Sequence, residues 1–267
     1  VVSEAALRVL RELGSGLGEE ARKQRARQAN VMPVPEDSDE VYHLFGNRFV
    51  KGAEMTISSR CNPRDKEAIL RRVRDAARQA DRVLVTIHNE ENDLDPEVPP
   101  EFLQDFARAC IDAGASCFIG HGHHYLQGIE IYRGLPIFYD FGNFIMELEN
   151  VPRYPAHACE QFGLAPDALP SEMMAARSGN DTKHMAAHPK YWRSVVAVCE
   201  WETGRLKQAR LYPVELGYGT TWSARGRPML ADRQVAGEIV ETLQRLSQPF
   251  NTQIRLEDGV GIIDSIA

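Results

Sequence analysis

Between residues 82 and 120 the chain passes from strand to helix and back to strand, and this run constrains its fold most. RVLVTI (82–87) is a short apolar run bounded by polar residues, which reads as a buried strand. PPEFLQDFARACIDAG follows. Its Phe102, Phe106, Ala109 and Cys110 recur at helical spacing, and Gly114 suits the position just past a helix end. SCFIG (116–120) is the next apolar run. Strand, helix and strand joined by short connections make a βαβ unit, and such a unit forces parallel pairing. The expected class is therefore α/β. In a parallel sheet, ligands gather at the carboxyl ends of the strands.

Residues 1–30 read as helix, with Ala5, Leu7, Val9, Leu10 and Leu13 as its apolar stripe. Residues 31–60 are irregular, with short strands expected near VYHLF and AEMTISS. Asn62-Pro63 is an N-cap followed by proline at the first helical position, and Ile69, Val73, Ala76 and Ala80 give that helix its face. IEIY and PIFYD flank Arg133-Gly134 as a hairpin. Residues 150–190 carry proline and methionine without a clear period, and a long insertion of this kind suits a lid. Its Tyr154, Met173 and Met174 are expected to face substrate. β structure returns in WRSVVAVCEWETGRLKQARLYPVEL, where Val195, Ala197 and Cys199 alternate with Val196, Val198 and Glu200 around a Thr203-Gly204 turn. A helix near 232–247 carries Ile239, Leu243 and Leu246 on one face, and IRLEDGVGII closes the chain as a small strand.

Composition excludes some functions. A formal net charge of −7 over 267 residues argues against a general nucleic-acid binder, which would show a basic face. No apolar run reaches the length of about 18 residues that a membrane span needs. The five cysteines are Cys61, Cys110, Cys117, Cys159 and Cys199; an odd number without CxxC fits reduced thiols in a cytoplasmic protein. The chain starts VVSEAALRVL, without a basic stretch followed by an apolar one.

Two loops leave strands at the carboxyl edge. IHNEEN (87–92) follows the first strand, and GHGHHY (120–125) follows the second, placing three of the chain's eight histidines in four positions. If the strands are neighbours, His88 faces His121, His123 and His124. Neutral imidazole is the commonest metal-binding side chain, and imidazoles with carboxylates suit Zn, Mn or Fe. A lone strand-end histidine is more often a surface or hydrogen-bonding residue, and Glu90 and Glu91 are solvated loop charges by default. The cluster, rather than any one member, points to a metal.

The stretch from RVLVTIHNEEN to GHGHHYLQGIEIYRGLPIFYDFGNFI resembles the poly-γ-glutamate capsule-biosynthesis proteins of the CapA/PgsA type, members of the calcineurin-like metallophosphatase superfamily. The matching elements are Asp112–Ala115, Gly120–His124, Gln127–Glu130, Gly134–Tyr139 and Gly142–Phe144, in the family's order. The match is strong over residues 62–145 and weak over 190–260. The resemblance implies a layered sheet sandwich with flanking helices, spanning 1–267 as one domain. It implies two divalent metal ions about 3.5–4 Å apart that activate a bridging water. By position it assigns His88, His121 and His124 as ligands, and His123 as a further ligand or proton donor, with Glu91 beside it in catalysis. Asp140 and Asn143 would orient the ligands.

The chain also departs from that pattern. His123 stands where relatives carry proline, Gly122 where many carry a further histidine, and His88-Asn89-Glu90-Glu91 where they show H-x-H-E or H-W-G-x-E. The family's first metal-binding elements, "GD", "NLE" and "NNH", are expected upstream of Val1. The leading expectation is a metal-dependent enzyme acting on a peptide or poly-γ-glutamate-like polyamide. The alternatives are a peptide epimerase of the lasso-peptide kind, a phosphoesterase, and a non-catalytic scaffold of polymer export. No arginine lies beside the histidine loop in sequence to hold a phosphate; the nearest is Arg133.

Overall fold

The computed structural model describes residues 1–30, 33–147 and 151–264. The expected 1–267 domain divides by its contacts into two compact units, Val1–Arg60 and Cys61–Ala267, each described by itself.

In the first unit the expected single helix is two, α1 (Glu4–Gly16) and α2 (Glu19–Ala29). The break falls at Gly18, whose φ of 76° is left-handed. Ser3 caps α1 by accepting the Ala6 amide at 3.2 Å. A hairpin follows, β1 (Val41–Leu44) and β2 (Asn47–Val50). Leu7 packs with Tyr42 and Leu44 into a small core. The strand expected at AEMTISS is not formed. There the Thr56 amide bonds the Val1 carbonyl instead, and the second strand of this unit lies earlier, at β2.

The second unit opens with α3 (Pro63–Ala77), capped by Asn62 as expected. Its buried face runs through Leu70 and Val73, while Ile69 is exposed. Then come β3 (Leu84–His88), α4 (Glu101–Asp112), β4 (Cys117–His121), and the hairpin β5 (Ile129–Tyr132) and β6 (Leu135–Phe138). Arg133 and Gly134 at φ 54° and 76° give that hairpin a turn whose twist matches its strands. The sheet order is β3-β4-β6-β5. β3 pairs β4 in parallel across α4, so the βαβ unit is present.

The insertion carries two short helices, α5 (Ala156–Gln161) and α6 (Pro170–Ser178), where the sequence shows no period; Asn150, at its start, lies outside the described residues. After it, β7 (Arg193–Glu202), β8 (Arg205–Glu215) and β9 (Met229–Leu230) lead into α7 (Arg233–Ser247). The tail is a hairpin, β10 (Arg255–Glu257) and β11 (Val260–Asp264), rather than one strand. These strands form an antiparallel sheet in the order β10-β11-β8-β7, with β9 on β8.

Side-chain alternation along β4 shows the layering. Phe118 enters a core with Leu70, Val73, Leu103 and Phe106 of α3 and α4. Its neighbours Cys117 and Ile119 face the other way, into a core shared with Val195 and Leu211 of the second sheet and Ile239 and Leu243 of α7. Helices, sheet and sheet thus stack as a layered α/β sandwich. Each such aliphatic side chain contributes about 1.5–3 kcal/mol on burial. All five cysteines are free thiols, and burial pushes Cys110 and Cys117 up to about 12, which leaves them inert. Among the described residues no helix is long and apolar enough to cross a membrane.

Candidate functional site: the strand-end histidines

Parallel pairing sets His88 opposite His121 in register, at the carboxyl ends of β3 and β4. Paired residues on parallel strands point to the same face. The two rings meet edge to face with centroids 4.9 Å apart, and their Nδ1 atoms are separated by 2.9 Å. The expected convergence of the two loops is present in the fold.

Glycine lets them approach. The Asn89 amide donates to the His121 carbonyl at 2.8 Å. A Cβ on Gly122, at φ 130°, would lie 2.4 Å from the Asn89 carbonyl oxygen. Asn89 itself is buried and ties its own loop, donating to the Glu91 carbonyl at 3.0 Å and accepting the Glu91 amide at 3.2 Å.

Glu90 places its carboxylate 3.3 Å from His88 Nε2. That fixes the proton of His88 on Nε2 and turns the Nδ1 lone pair toward His121. Glu91, expected in catalysis, contributes its backbone to the Asn89 turn, and its side chain is exposed.

His124 sits at φ 68°, an uncommon conformation for a residue with a Cβ. Asn143 grips it from both sides, with its Oδ1 2.8 Å from His124 Nδ1 and its Nδ2 donating to the His124 carbonyl at 3.2 Å and the Tyr191 carbonyl at 2.9 Å. With Nδ2 committed to two carbonyls, Oδ1 is the acceptor, so His124 carries its proton on Nδ1 and presents a lone pair at Nε2. Asp140 is buried beneath the loop and accepts the His123 amide at 2.9 Å and the Gly142 amide at 2.7 Å. Burial raises its carboxyl above the ordinary value, against the pull of those two amides. His123 is buried too; that burial, with His124 and His88 nearby, holds its ring below the usual histidine value and therefore neutral at pH 7. Its Nε2 lies 3.4 Å from Asn89 Nδ2. Asp140 and Asn143 thus hold His123 and His124 rather than His88 and His121.

The insertion also brings residues toward this loop. His184 is close enough to His124 for its charge to disfavour protonation of His184. Arg177 Nη2 lies 3.2 Å from His184 Nε2. Lys190 Nζ lies 4.1 Å above the Tyr125 ring, and Tyr125 packs against His123. Nothing periodic marks Arg177, His184 or Lys190 in sequence. Met173 and Met174, expected to face substrate, are buried; Tyr154 donates its hydroxyl to the Met174 sulfur at 3.0 Å. Arg133 is paired with Asp112 at 2.9 Å, in the turn between β5 and β6.

The donors can be tested against a metal. Two nitrogens bound to one octahedral ion at about 2.1 Å lie about 3.0 Å apart, against about 3.3 Å around a tetrahedral one. The His88–His121 separation of 2.9 Å fits two adjacent ligands of one such ion. Among the described residues no group of three or more histidine, cysteine or acidic side chains converges to hold an ion, so His88 and His121 are the pair the fold brings together.

Comparison with known proteins agrees with the motif order. Residues 12–148 match the bacterial capsule synthesis protein family, PGA_cap. Two uncharacterized proteins of Sinorhizobium fredii are 39% identical over 247 residues, covering 90% of this chain and 53% of their own length. The PGA biosynthesis protein CapA of Bacillus subtilis is 40% identical over 86 residues, 32% of this chain and 22% of that protein. The capsule biosynthesis protein CapA of Bacillus anthracis is 42% identical over 69 residues, 26% of this chain and 16% of that protein. The chain spans about half the length of the first two relatives.

Proposed function

This chain belongs to the bacterial capsule synthesis protein family PGA_cap, and from that premise we propose that it forms the histidine-bearing part of a metal-dependent enzyme of capsule biosynthesis, acting on a peptide or poly-γ-glutamate-like polyamide. One observation carries the reading: His88 and His121 stand in register at the ends of adjacent parallel strands with their Nδ1 atoms 2.9 Å apart. His88 and His121 would hold the ion, which would polarise a substrate carbonyl and lower the pKa of bound water.

The chain's own residues do the rest. Glu90 keeps the His88 proton on Nε2 and so frees Nδ1. Asn143 keeps the His124 proton on Nδ1, so Nε2 of His124 would take the proton that the attacking water loses as it adds to the amide carbonyl and give it to the amine as the C–N bond breaks. His123, neutral and held by Asp140 and Asn89, fixes the loop between these groups.

The test is an incubation of the protein, loaded with Mn, Zn or Fe(II), with γ-linked oligoglutamate and p-nitrophenyl phosphate in heavy water. The proposal expects a new amine end read by mass spectrometry. Deuterium gained at one Cα without cleavage would replace hydrolysis by epimerisation. Phosphate release with unchanged peptide would replace it by phosphoester hydrolysis. No metal-dependent change in any substrate would overturn the enzymatic reading.

A further inference from the structure

The insertion brings positive charge to the histidine loop. Arg177 leaves the last turn of α6 half-buried, with its guanidinium against His184 Nε2 at 3.2 Å. A guanidinium can only donate, so Nε2 accepts and His184 is neutral in this contact. Burial, then the charges of Arg177 and His124, hold the His184 ring below the usual histidine value, consistent with that role. Lys190 stands over two rings, 4.1 Å from the centroid of Tyr125 and 5.4 Å from that of Tyr191. The Tyr191 carbonyl is bonded by the same Asn143 that grips His124. Among the described residues, neither Arg177 nor Lys190 forms an ion pair with a carboxylate. Arg225 and Arg193, by contrast, are paired with Asp181 and Glu238.

The segment is held in a shape that costs energy. His184 lies at φ 58°, ψ −160°, at the border of a region almost exclusive to glycine, so its backbone is strained. Several anchors maintain it. Asp181 accepts from Arg225 at 2.8 Å and from Trp222 Nε1 at 3.1 Å. Trp192 Nε1 donates to the Met185 carbonyl at 3.0 Å, and the Tyr218 hydroxyl to the Ala187 carbonyl at 3.0 Å. A backbone over-determined in this way fixes where His184 stands, and with it Arg177. Acidic groups also stand at the histidine loop: Glu90 at His88, and Glu97 and Asp95, which after burial and Tyr191 raise the Tyr125 hydroxyl's pKa.

We propose that Arg177 and Lys190, with Arg177 positioned by His184, form the anion-recognition wall of the histidine site and receive an anionic oxygen group of the substrate, a carboxylate or a phosphate. This rests on the preceding reading in placing substrate at the histidine loop. Arginine offers two parallel donors to such a group, and lysine a point charge. The sequence has no arginine beside the histidine loop; folding supplies one from more than fifty residues away.

Binding is measured by calorimetry on the metal-free protein in EDTA, so that the result does not depend on metal content or turnover. The probes are a γ-linked triglutamate, its fully amidated neutral analogue and inorganic phosphate. The variants are Arg177→Ala and Lys190→Ala, with Arg133→Ala as control and circular dichroism to confirm folding. Each of the first two should weaken triglutamate by about tenfold, the worth of one charge-assisted bond, and leave the neutral analogue unchanged. The same loss seen with phosphate alone assigns the wall to a phosphate group and still supports it. Binding of both anions unaltered relative to Arg133→Ala, or failure of the wild-type protein to bind either anion, overturns it. Anion binding lost in the variants without any metal-dependent reaction keeps the wall and discards the enzymatic reading.

Discussion

Asp140→Ala should release the histidine loop, and the structure allows the cost to be estimated. Asp140 accepts two backbone amides, His123 N–H at 2.9 Å and Gly142 N–H at 2.7 Å. A hydrogen bond to a charged acceptor contributes about 1.5–3 kcal/mol, so both together are worth about 3–6 kcal/mol. Two effects reduce this. Burial of the ionised carboxylate, which raises its pKa, carries a penalty that alanine removes. Gly142 is half-buried, so water can replace its lost partner. The amide of His123 has no such recourse, because His123 is buried. The net loss is about 2–3 kcal/mol, or about a 1 M fall in the urea midpoint. Trp192, Trp201 and Trp222 all lie in the 61–267 unit, so tryptophan fluorescence follows this unit alone. Asp140→Asn keeps one acceptor oxygen and should recover about half of the loss. A midpoint for Asp140→Ala within about 0.5 kcal/mol of wild type would refute the idea that this carboxylate holds the loop.

Glu130→Gln should cost about 2–3 kcal/mol by chemical denaturation, because Glu130 is buried between Arg108 Nε at 2.9 Å and the Tyr139 hydroxyl at 2.6 Å, and Arg108 would lose its anion; an unchanged midpoint would mean that the network is dispensable. Gly122→Ala forces a Cβ toward the Asn89 carbonyl at positive φ, so it should cost about 2–4 kcal/mol and abolish the coupling of the two loops; a fully stable variant would contradict the packing. Asp181 has a second, pH-dependent consequence. Its burial raises the pKa, but bonds from Arg225 and Trp222 outweigh that and hold it below the ordinary value. A depressed carboxylate contributes stability above its unfolded pKa and loses it as pH falls through the folded one. Trp222 fluorescence should therefore change below about pH 3.9, and Asp181→Asn should abolish that transition; an identical acid transition in the variant would sink the clasp.

The central geometry was legible before folding because few physical rules determine it. Short connections around one helix leave only parallel pairing for 82–87 and 116–120, and that pairing carries His88 to His121. The motif series was also legible, although two of its members serve the core: Glu130 and Tyr139 bond each other under α4. The remainder depends on torsions that no period encodes. Whether Glu90 or Glu91 reaches His88 is decided by the Asn89 turn, itself fixed by burial against His123. The insertion's α5 and α6 run six and nine residues, too short to display helical repetition. The positive φ values of His124 and His184 are held by Asn143 and by Arg225 and Trp222 acting on Asp181, partners that no local period encodes. On α3 Val73 is buried as expected, but Leu70 takes the place of Ile69, since a helix's phase follows the partner it packs against, here Leu103 and Phe106 of α4.

The claim that His88 and His121 share one ion is tested most directly by X-ray absorption at the metal edge, on protein titrated with Mn, Zn or Fe(II). The account predicts one tightly bound ion whose first shell contains two imidazole nitrogens, with binding lost in His88→Ala and in His121→Ala and retained in Arg133→Ala. A wild-type protein that binds none of these ions more tightly than His121→Ala does would contradict it, and the 2.9 Å contact would then be an imidazole–imidazole hydrogen bond.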